Sequence, residues 1–272
     1  MTYAGNRAAA AALAAAERLS AAANTGIPVR AVRDLIGSDD VTQAYAVQRR
    51  GIRRRVKSGA RIVGRKIGLT SPIVQQQLGV NQPDFGVLFH DMDVAETPVA
   101  QRPKLLQPKV EAELAFLLRA DLDGNRLDAT TVRGAVDYAV AALEIVDSRI
   151  ADWDISVADT VADNASSGWF ALGTDRLSLG DFEPRDIAMS MAIDDEIVST
   201  GTGSACLGDP LNALAWLART ARDFGDPLRA GDLVLSGALG PMAPLRPGAR
   251  VRSELFSGTM LLGSVDFTWE KS

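Results

Sequence analysis

Lys109-Val-Glu-Ala-Glu-Leu-Ala-Phe-Leu-Leu118 is the stretch on which the fold turns. It is apolar except for its carboxylates, and it reads as a strand. Residues i and i+2 of a strand share a face, so Glu111 and Glu113 project together. A second apolar run, Val140 to Val146, carries a third acid, Glu144. A run that is nearly continuous in apolar residues implies burial of both faces. Buried like charges side by side are costly unless something positive sits between them. A divalent cation held by Glu111, Glu113 and Glu144 resolves the conflict. All-oxygen ligation favours Mg²⁺, with Mn²⁺ as the other candidate; no dense Asp/Asn loop suggests Ca²⁺. The alternative for the doublet alone is an edge strand whose acids face water.

Outward from these runs the chain divides by character. Residues 4 to 22 are Ala-rich helix formers, and residues 39 to 56 repeat a helical pattern with Ser38 placed to cap it. Together they predict an N-terminal helical layer over residues 1–60, packed on a catalytic body over 61–272. In that body, strands are expected at 61–67, 87–92, 109–118, 138–146 and 168–172. A short helix is expected at 70–78, a loop at 81–84, and a helix at about 130–137. A strand pair, 187–193 and 196–198, turns at Asp194-Asp195. Asp209-Pro210 opens the clearest helix, up to Gly225, and three more strands follow around 235–238, 251–255 and 259–267. Many strands with no regular βαβ alternation predict an α+β, mostly β architecture with a mixed or antiparallel sheet.

Composition excludes several classes. Of 272 residues, 47 % are apolar and 23 % charged, the balance of a globular protein. No apolar run is long enough for a membrane span, and the net charge of −5 gives no reason to expect a nucleic-acid partner. The basic cluster Arg49, Arg50, Arg53, Arg54, Arg55 and Lys57 reads as a solvated helix face. Cys206 is the sole cysteine, so no intrachain disulfide forms, and a reducing cytoplasm is the expected location. Its setting reads as packing. His90 is the sole histidine, so a metal site built on several imidazoles is ruled out. Without a G-x-S-x-G elbow, a Ser-His-Asp triad has no support either. Acid–base work must then fall to lysine, carboxylates, hydroxyls or metal-activated water.

Lys66, in Gly64-Arg-Lys-Ile-Gly-Leu-Thr-Ser71, ends a β run before a turn and is the first candidate for that work. A neighbouring cation and partial burial would both lower its pKa. Thr70 and Ser71 precede Pro72 and are placed to cap a helix or to hydrogen-bond an anion. Asp84, in Gln82-Pro-Asp-Phe-Gly86, reads by default as a turn aspartate. The stretch Asp152 to Asp159 reads as mobile, and the polar Asp163-Asn-Ala-Ser-Ser-Gly168 after it can meet a ligand through Ser166 and Ser167. Gly237, in Gly237-Ala-Leu-Gly240, can turn backbone N–H groups towards a carboxylate.

These segments, with Gln76-Gln-Leu-Gly-Val-Asn-Gln-Pro-Asp-Phe-Gly-Val-Leu-Phe89, Glu144-Ile-Val-Asp147, Gly203-Ser-Ala-Cys-Leu-Gly-Asp-Pro-Leu-Asn212 and Ala230-Gly-Asp-Leu-Val-Leu-Ser-Gly-Ala-Leu-Gly-Pro241, carry a resemblance. The chain resembles, from about residue 35 onward, the 2-oxopent-4-enoate (2-hydroxypenta-2,4-dienoate) hydratases of the fumarylacetoacetate hydrolase superfamily. The resemblance implies a β-rich roll with flanking helices, and Mg²⁺ or Mn²⁺ on the counterparts of Glu111, Glu113 and Glu144. It places Lys66 and Asp84 in the active site and the serines of the N-A-S-S segment along the same cleft. It also implies homo-oligomers, pentamers or decamers, with room for a complex with a neighbouring pathway enzyme. The implied reaction is hydration of 2-hydroxypenta-2,4-dienoate to 4-hydroxy-2-oxopentanoate in meta-cleavage aromatic catabolism. The rivals are a 4-oxalocrotonate decarboxylase, or a hydratase for a longer or dicarboxylic 2-oxo-alkenoate. His90 and Lys109 are the positions that could mark a different substrate tail.

Overall fold

The apolar alternation around the carboxylates splits the central strands into two differently dressed faces, and the architecture follows from that split. The computed structural model describes residues 3–71, 75–76 and 82–270. In chain order its strands are β1 (Ile62–Gly68), β2 (Asp84–Phe89), β3 (Lys109–Leu118), β4 (Val136–Val146), β5 (Ser167–Leu172), β6 (Ala188–Ile193), β7 (Glu196–Thr202), β8 (Leu233–Ala238), β9 (Ala243–Pro244), β10 (Arg250–Ser257) and β11 (Met260–Thr268). A seven-stranded sheet runs β2-β1-β8-β3-β4-β5, with β9 paired to β3. Among the described residues only β1 and β8 pair in parallel within it; its other strand pairs are antiparallel. A second, antiparallel sheet runs β11-β10-β6-β7. The mixed sheet read from the sequence is the sheet observed.

On β3, Val110, Ala112, Leu114, Phe116 and Leu118 enter the main core, and Ala139, Ala141, Leu143 and Ile145 of β4 join them. The opposite face carries Glu111, Glu113 and Glu144, followed by a smaller apolar cluster with Ala115, Val140, Ala142, Phe170 and Leu235. Side-chain period two therefore sends the acids to one face and the core to the other.

The helices flank this body. The first two long ones, α1 (Tyr3–Thr25) and α3 (Val41–Lys57), pack together, with the short α2 (Arg33–Ile36) between them in sequence. Further on come α4 (Ala129–Ala135), α5 (Val157–Ala162) and α6 (Pro210–Asp223). Tyr45 of α3 stacks on Phe85 with ring centroids 4.8 Å apart. Gln48 donates from one amide nitrogen to the Phe85 carbonyl at 2.8 Å and the Val161 carbonyl at 3.1 Å. Asp159, fully buried, accepts from the backbone N–H of Val32 and Arg33 at 2.8 Å each and from the Arg33 guanidinium at 2.9 Å.

Several expectations need correction. The cap of α3 is Asp40, which accepts from Gln43 N, rather than Ser38, because the helix starts at Val41. Asp84 is not a turn residue: it opens β2 opposite Gly68 and is buried. The stretch Asp152 to Asp159, read as mobile, carries regular structure: it leaves a 3-10 turn at Ala151–Trp153 and enters α5. Ser156 and Asp159 form a reciprocal capping box that fixes the start of α5. The helix expected at 70–78 lies mostly outside the described residues. The basic cluster of α3 is largely solvated, as expected; Arg55 alone turns in, pairing with Asp91 and lying 4.0 Å from the Phe89 ring centroid.

Candidate active site and metal centre

Register brings the acids together. Glu111 of β3 faces Glu144 of β4, and Glu113 faces Ala238 at the end of β8. On the other flank Lys66 of β1 lies between Gly86 of β2 and Leu235 of β8, and Asp84 stands opposite Gly68 two residues on. One oxygen from each of Glu111, Glu113 and Glu144 lies within 4.8 Å of the other two. Glu113 and Glu144 are fully buried, and Glu111 is 7 % exposed. Cys206 and Thr70 are buried beside them.

The oxygens are short of partners. Glu113 Oε2 accepts from Gly237 N at 2.7 Å, but Glu113 Oε1, both Glu144 oxygens and both Asp84 oxygens have no hydrogen-bond donor among the described residues. Lys66 Nζ lies 3.1 Å from Glu144 Oε1, an ion pair without hydrogen-bond alignment. Buried oxygens left without donors cost free energy, so their convergence calls for a positive partner. Four carboxylates, Asp84, Glu111, Glu113 and Glu144, face one ammonium. A divalent ion balances most of that excess, and hard oxygen donors suit Mg²⁺ or Mn²⁺. The residues present fit such an ion.

The electrostatics follow from burial. Burial first, then Glu144, lifts the Glu111 carboxyl to about 7. Burial lifts Asp84 to about 6 against the pull of Lys66. Glu113 is raised well above the ordinary carboxylate range by burial and then by Glu144. For Lys66, burial lowers the pKa, but Glu144, Glu111, Asp84 and Glu113 together outweigh it and hold it above the ordinary lysine value. The lowering expected from the sequence is tied to a neighbouring cation; without the ion the carboxylates prevail over burial. The Cys206 thiol donates to the Ser236 carbonyl at 2.9 Å, and burial pushes its pKa up, the behaviour of a packed thiol.

Gly237 is there for space. Its φ is +108°, and a Cβ would lie 2.5 Å from Thr70 Oγ1, so only glycine lets Thr70 pack against the amide that clamps Glu113. Ser71 is half-buried at the edge of the described residues, its carbonyl accepting from Gln75 N. Ser166 is buried with its hydroxyl 3.3 Å from Thr160 Oγ1, and Ser167 spends its hydroxyl on the Asn164 carbonyl at 2.7 Å. Sequence reasoning passed over the group just ahead of these serines: the Ala165 carbonyl, which accepts from Lys66 Nζ at 2.9 Å. The available signal was Asn164, the residue type most tolerant of left-handed backbone after glycine. His90 sits half-buried on the turn after β2, apart from the acids, and Lys109 lies over the Trp153 ring, 4.4 Å from its centroid.

The model of the fumarylacetoacetate (FAA) hydrolase C-terminal domain matches residues 67–266. The chain belongs to the fumarylacetoacetate hydrolase family. Within this family it is 53 % identical over 234 residues to the TodF product hydratase of Pseudomonas putida strain F1, covering 86 % of this chain and 87 % of the relative. It is 52 % identical to the 2-keto-4-pentenoate hydratase of Paraburkholderia xenovorans strain LB400, with the same coverage. Among solved structures it superposes on the 4-oxalocrotonate decarboxylase of Pseudomonas putida G7, complexed with magnesium and adipate. There the TM-score is 0.84 at 31 % identity, covering 94 % of this chain and 95 % of that one.

Proposed function

We propose that this member of the family is a metal-dependent hydro-lyase that adds water to 2-hydroxypenta-2,4-dienoate, giving 4-hydroxy-2-oxopentanoate. The observation that carries the reading is 52 % identity along 86 % of the chain with relatives named 2-keto-4-pentenoate hydratase. Glu111, Glu113 and Glu144 would hold Mg²⁺ or Mn²⁺. When bound, such an ion would supply Lewis acidity suited to a 2-oxo acid and to negative charge developing at its C2 oxygen.

The chain's own groups then divide the proton work. In net terms the dienol loses its hydroxyl proton and gains one at C5, leaving a 2-ketone conjugated to a C3=C4 bond. Water oxygen then bonds to C4 while a proton reaches C3. Asp84, with a pKa near 6 in a dry setting, is the group that can carry a proton on and off at neutral pH. Lys66, held protonated by its carboxylate neighbours, orients substrate oxygen and stabilises charge on it. Thr70, Ser71, Ser166, Ser167 and Gly237 complete the cleft wall.

The decarboxylase reading has one observation behind it, the superposition described above. A dicarboxylate needs a second cationic partner for its distal end. Lys66 is the buried cation at the acids among the described residues, and residues 72–81, which follow Ser71 in sequence, contain neither lysine nor arginine. Assaying 2-hydroxypenta-2,4-dienoate and 2-oxohex-3-enedioate in parallel with added Mg²⁺ decides the matter. Loss of the dienoate chromophore without CO₂ supports hydration; CO₂ from the dicarboxylate overturns it.

We also assign the chain to the cytoplasm, which suits a lone buried thiol; no helix among the described residues is long and apolar enough to cross a membrane. Residues 1–60 serve as a helical layer on the catalytic body, 61–272, and the protein works as a homo-oligomer, a pentamer or decamer, able to meet a neighbouring pathway enzyme. Apolar side chains exposed on the outer strands of the second sheet support assembly.

A further inference from the structure

Lys66 Nζ makes one hydrogen bond among the described residues, to the carbonyl of Ala165 at 2.9 Å. Its contact with Glu144 is an ion pair without hydrogen-bond alignment. A lysine ammonium on a four-carbon stem has three donors and no preferred plane, so that one carbonyl decides where the other two N–H bonds point.

The carbonyl belongs to an unusual piece of backbone. Asn164, Ala165 and Ser166 all have left-handed φ, at 57°, 51° and 54°. Non-glycine residues visit that region singly, so three in succession persist only where surrounding contacts impose them. The strongest of those contacts is the Asn164 side chain. Its Oδ1 accepts from Val87 N at 2.8 Å and its Nδ2 donates to Val87 O at 2.9 Å, so the amide pairs with β2 as a strand residue would. The neighbouring position on β2 is Gly86, where a Cβ would collide with the Asn164 carbonyl and lie 2.8 Å from Ser167 Oγ. At the far end Asp147 N donates to Ser166 O at 2.7 Å.

We infer that Asn164 is a positioning residue for the reaction: by pinning the left-handed turn to β2 it aims the Ala165 carbonyl, and through it the Lys66 ammonium. This rests on the reading of Lys66 as an active-site group. Without the pin the turn relaxes, the carbonyl rotates away, and the ammonium, still paired with Glu144, loses the one hydrogen bond that orients it. Asn164 itself touches neither the acids nor, in this geometry, the ammonium.

The test is a double-mutant cycle on the full-length protein with Mn²⁺, using Asn164→Ala, Lys66→Ala and the pair. Asn164→Ala is expected to lower kcat 30- to 100-fold, with KM and the calorimetric Mn²⁺ affinity within threefold of wild type. In the Lys66→Ala background the same substitution is expected to cost less than threefold, since its effect runs through the missing amine. Equal losses in both backgrounds, a wild-type kcat for Asn164→Ala, or a collapse of Mn²⁺ affinity would each overturn the inference. A near wild-type kcat for Lys66→Ala would instead overturn the role given to Lys66. Should Asn164→Ala not fold, Asn164→Gly removes the bridge while tolerating positive φ, and the same cycle is read on it.

Discussion

Asp84 and Glu111 are buried acids whose pKa values stand at about 6 and about 7, lifted in both cases chiefly by burial. Their unfolded values lie near 4, so between about pH 4 and 7 the folded chain binds more protons than the unfolded one. Stability of the metal-free protein therefore falls as pH rises through that window. Its Tm is expected to drop by several degrees between pH 5 and 7.5, and saturating Mn²⁺ should remove most of the slope. A metal-free Tm that is flat or rising over that range contradicts the buried cluster. Glu113→Gln carries the argument further, because it neutralises one buried charge while keeping an acceptor for Gly237 N. It should weaken Mn²⁺ binding at least 100-fold and abolish turnover, yet raise the metal-free Tm at pH 7.5. Loss of stability there would show that the charge is not strained. The three glutamates were legible because their spacing and apolar setting leave few ways to satisfy them. The Ala165 carbonyl was not, since a backbone oxygen has no residue signature and its direction depends on three left-handed φ angles.

At the scale of elements, β3 keeps the bounds read from the sequence, whereas β7 runs on to Thr202 and β8 starts earlier, at Leu233. The start of β2 escaped because Gln82-Pro-Asp84 has turn composition, while pairing with β1 decides that Asp84 is in the sheet. The Ala-rich composition of α1 and the cap-like Ser38 gave the N-terminal helices but not their attachment, to which one distant acid contributes beside Tyr45 and Gln48. Asp159 takes hydrogen bonds from Val32 N and Arg33 N in the entry to α2, as well as from Ser156 N and Ser156 Oγ at the start of α5. Two segments more than 120 residues apart thus share one carboxylate. Asp159→Ala leaves several buried donors unpaired at about 1–3 kcal/mol each, so a total loss on the order of 3 kcal/mol is expected. At roughly 2–4 °C per kcal/mol, Tm should fall by about 6–12 °C. Limited proteolysis should cut first between α1 and α3 in that variant. A Tm within 2 °C of wild type would mean that the helical layer is held by apolar packing and the Gln48 hydrogen bonds, without need of Asp159.

For the whole molecule, the second sheet poses a question that one copy does not answer. Its outer strands are β7 and β11, and both expose apolar side chains: Ile197 at 65 % and Val198 on one, Met260 at 56 % and Leu261 on the other. Exposed apolar edge strands invite pairing with further chains, and natural proteins cover them. The two edges differ in sequence, so a single contact covering both would be head-to-tail, the kind that closes cyclic rings such as pentamers. If β7 of one copy meets β11 of the next, Ile197→Glu and Met260→Glu should each break the ring, seen as a fall in mass by light scattering on a sizing column. Mixing the two variants gives a sharper outcome. An Ile197→Glu protomer keeps a sound β11 edge and a Met260→Glu protomer keeps a sound β7 edge, so the mixture can form one native contact and no more. The mixture should therefore run as a heterodimer while each variant alone runs as a monomer. A wild-type chain that is monomeric at micromolar concentration removes the premise. Variants that stay in rings would place the assembly contact elsewhere on the surface.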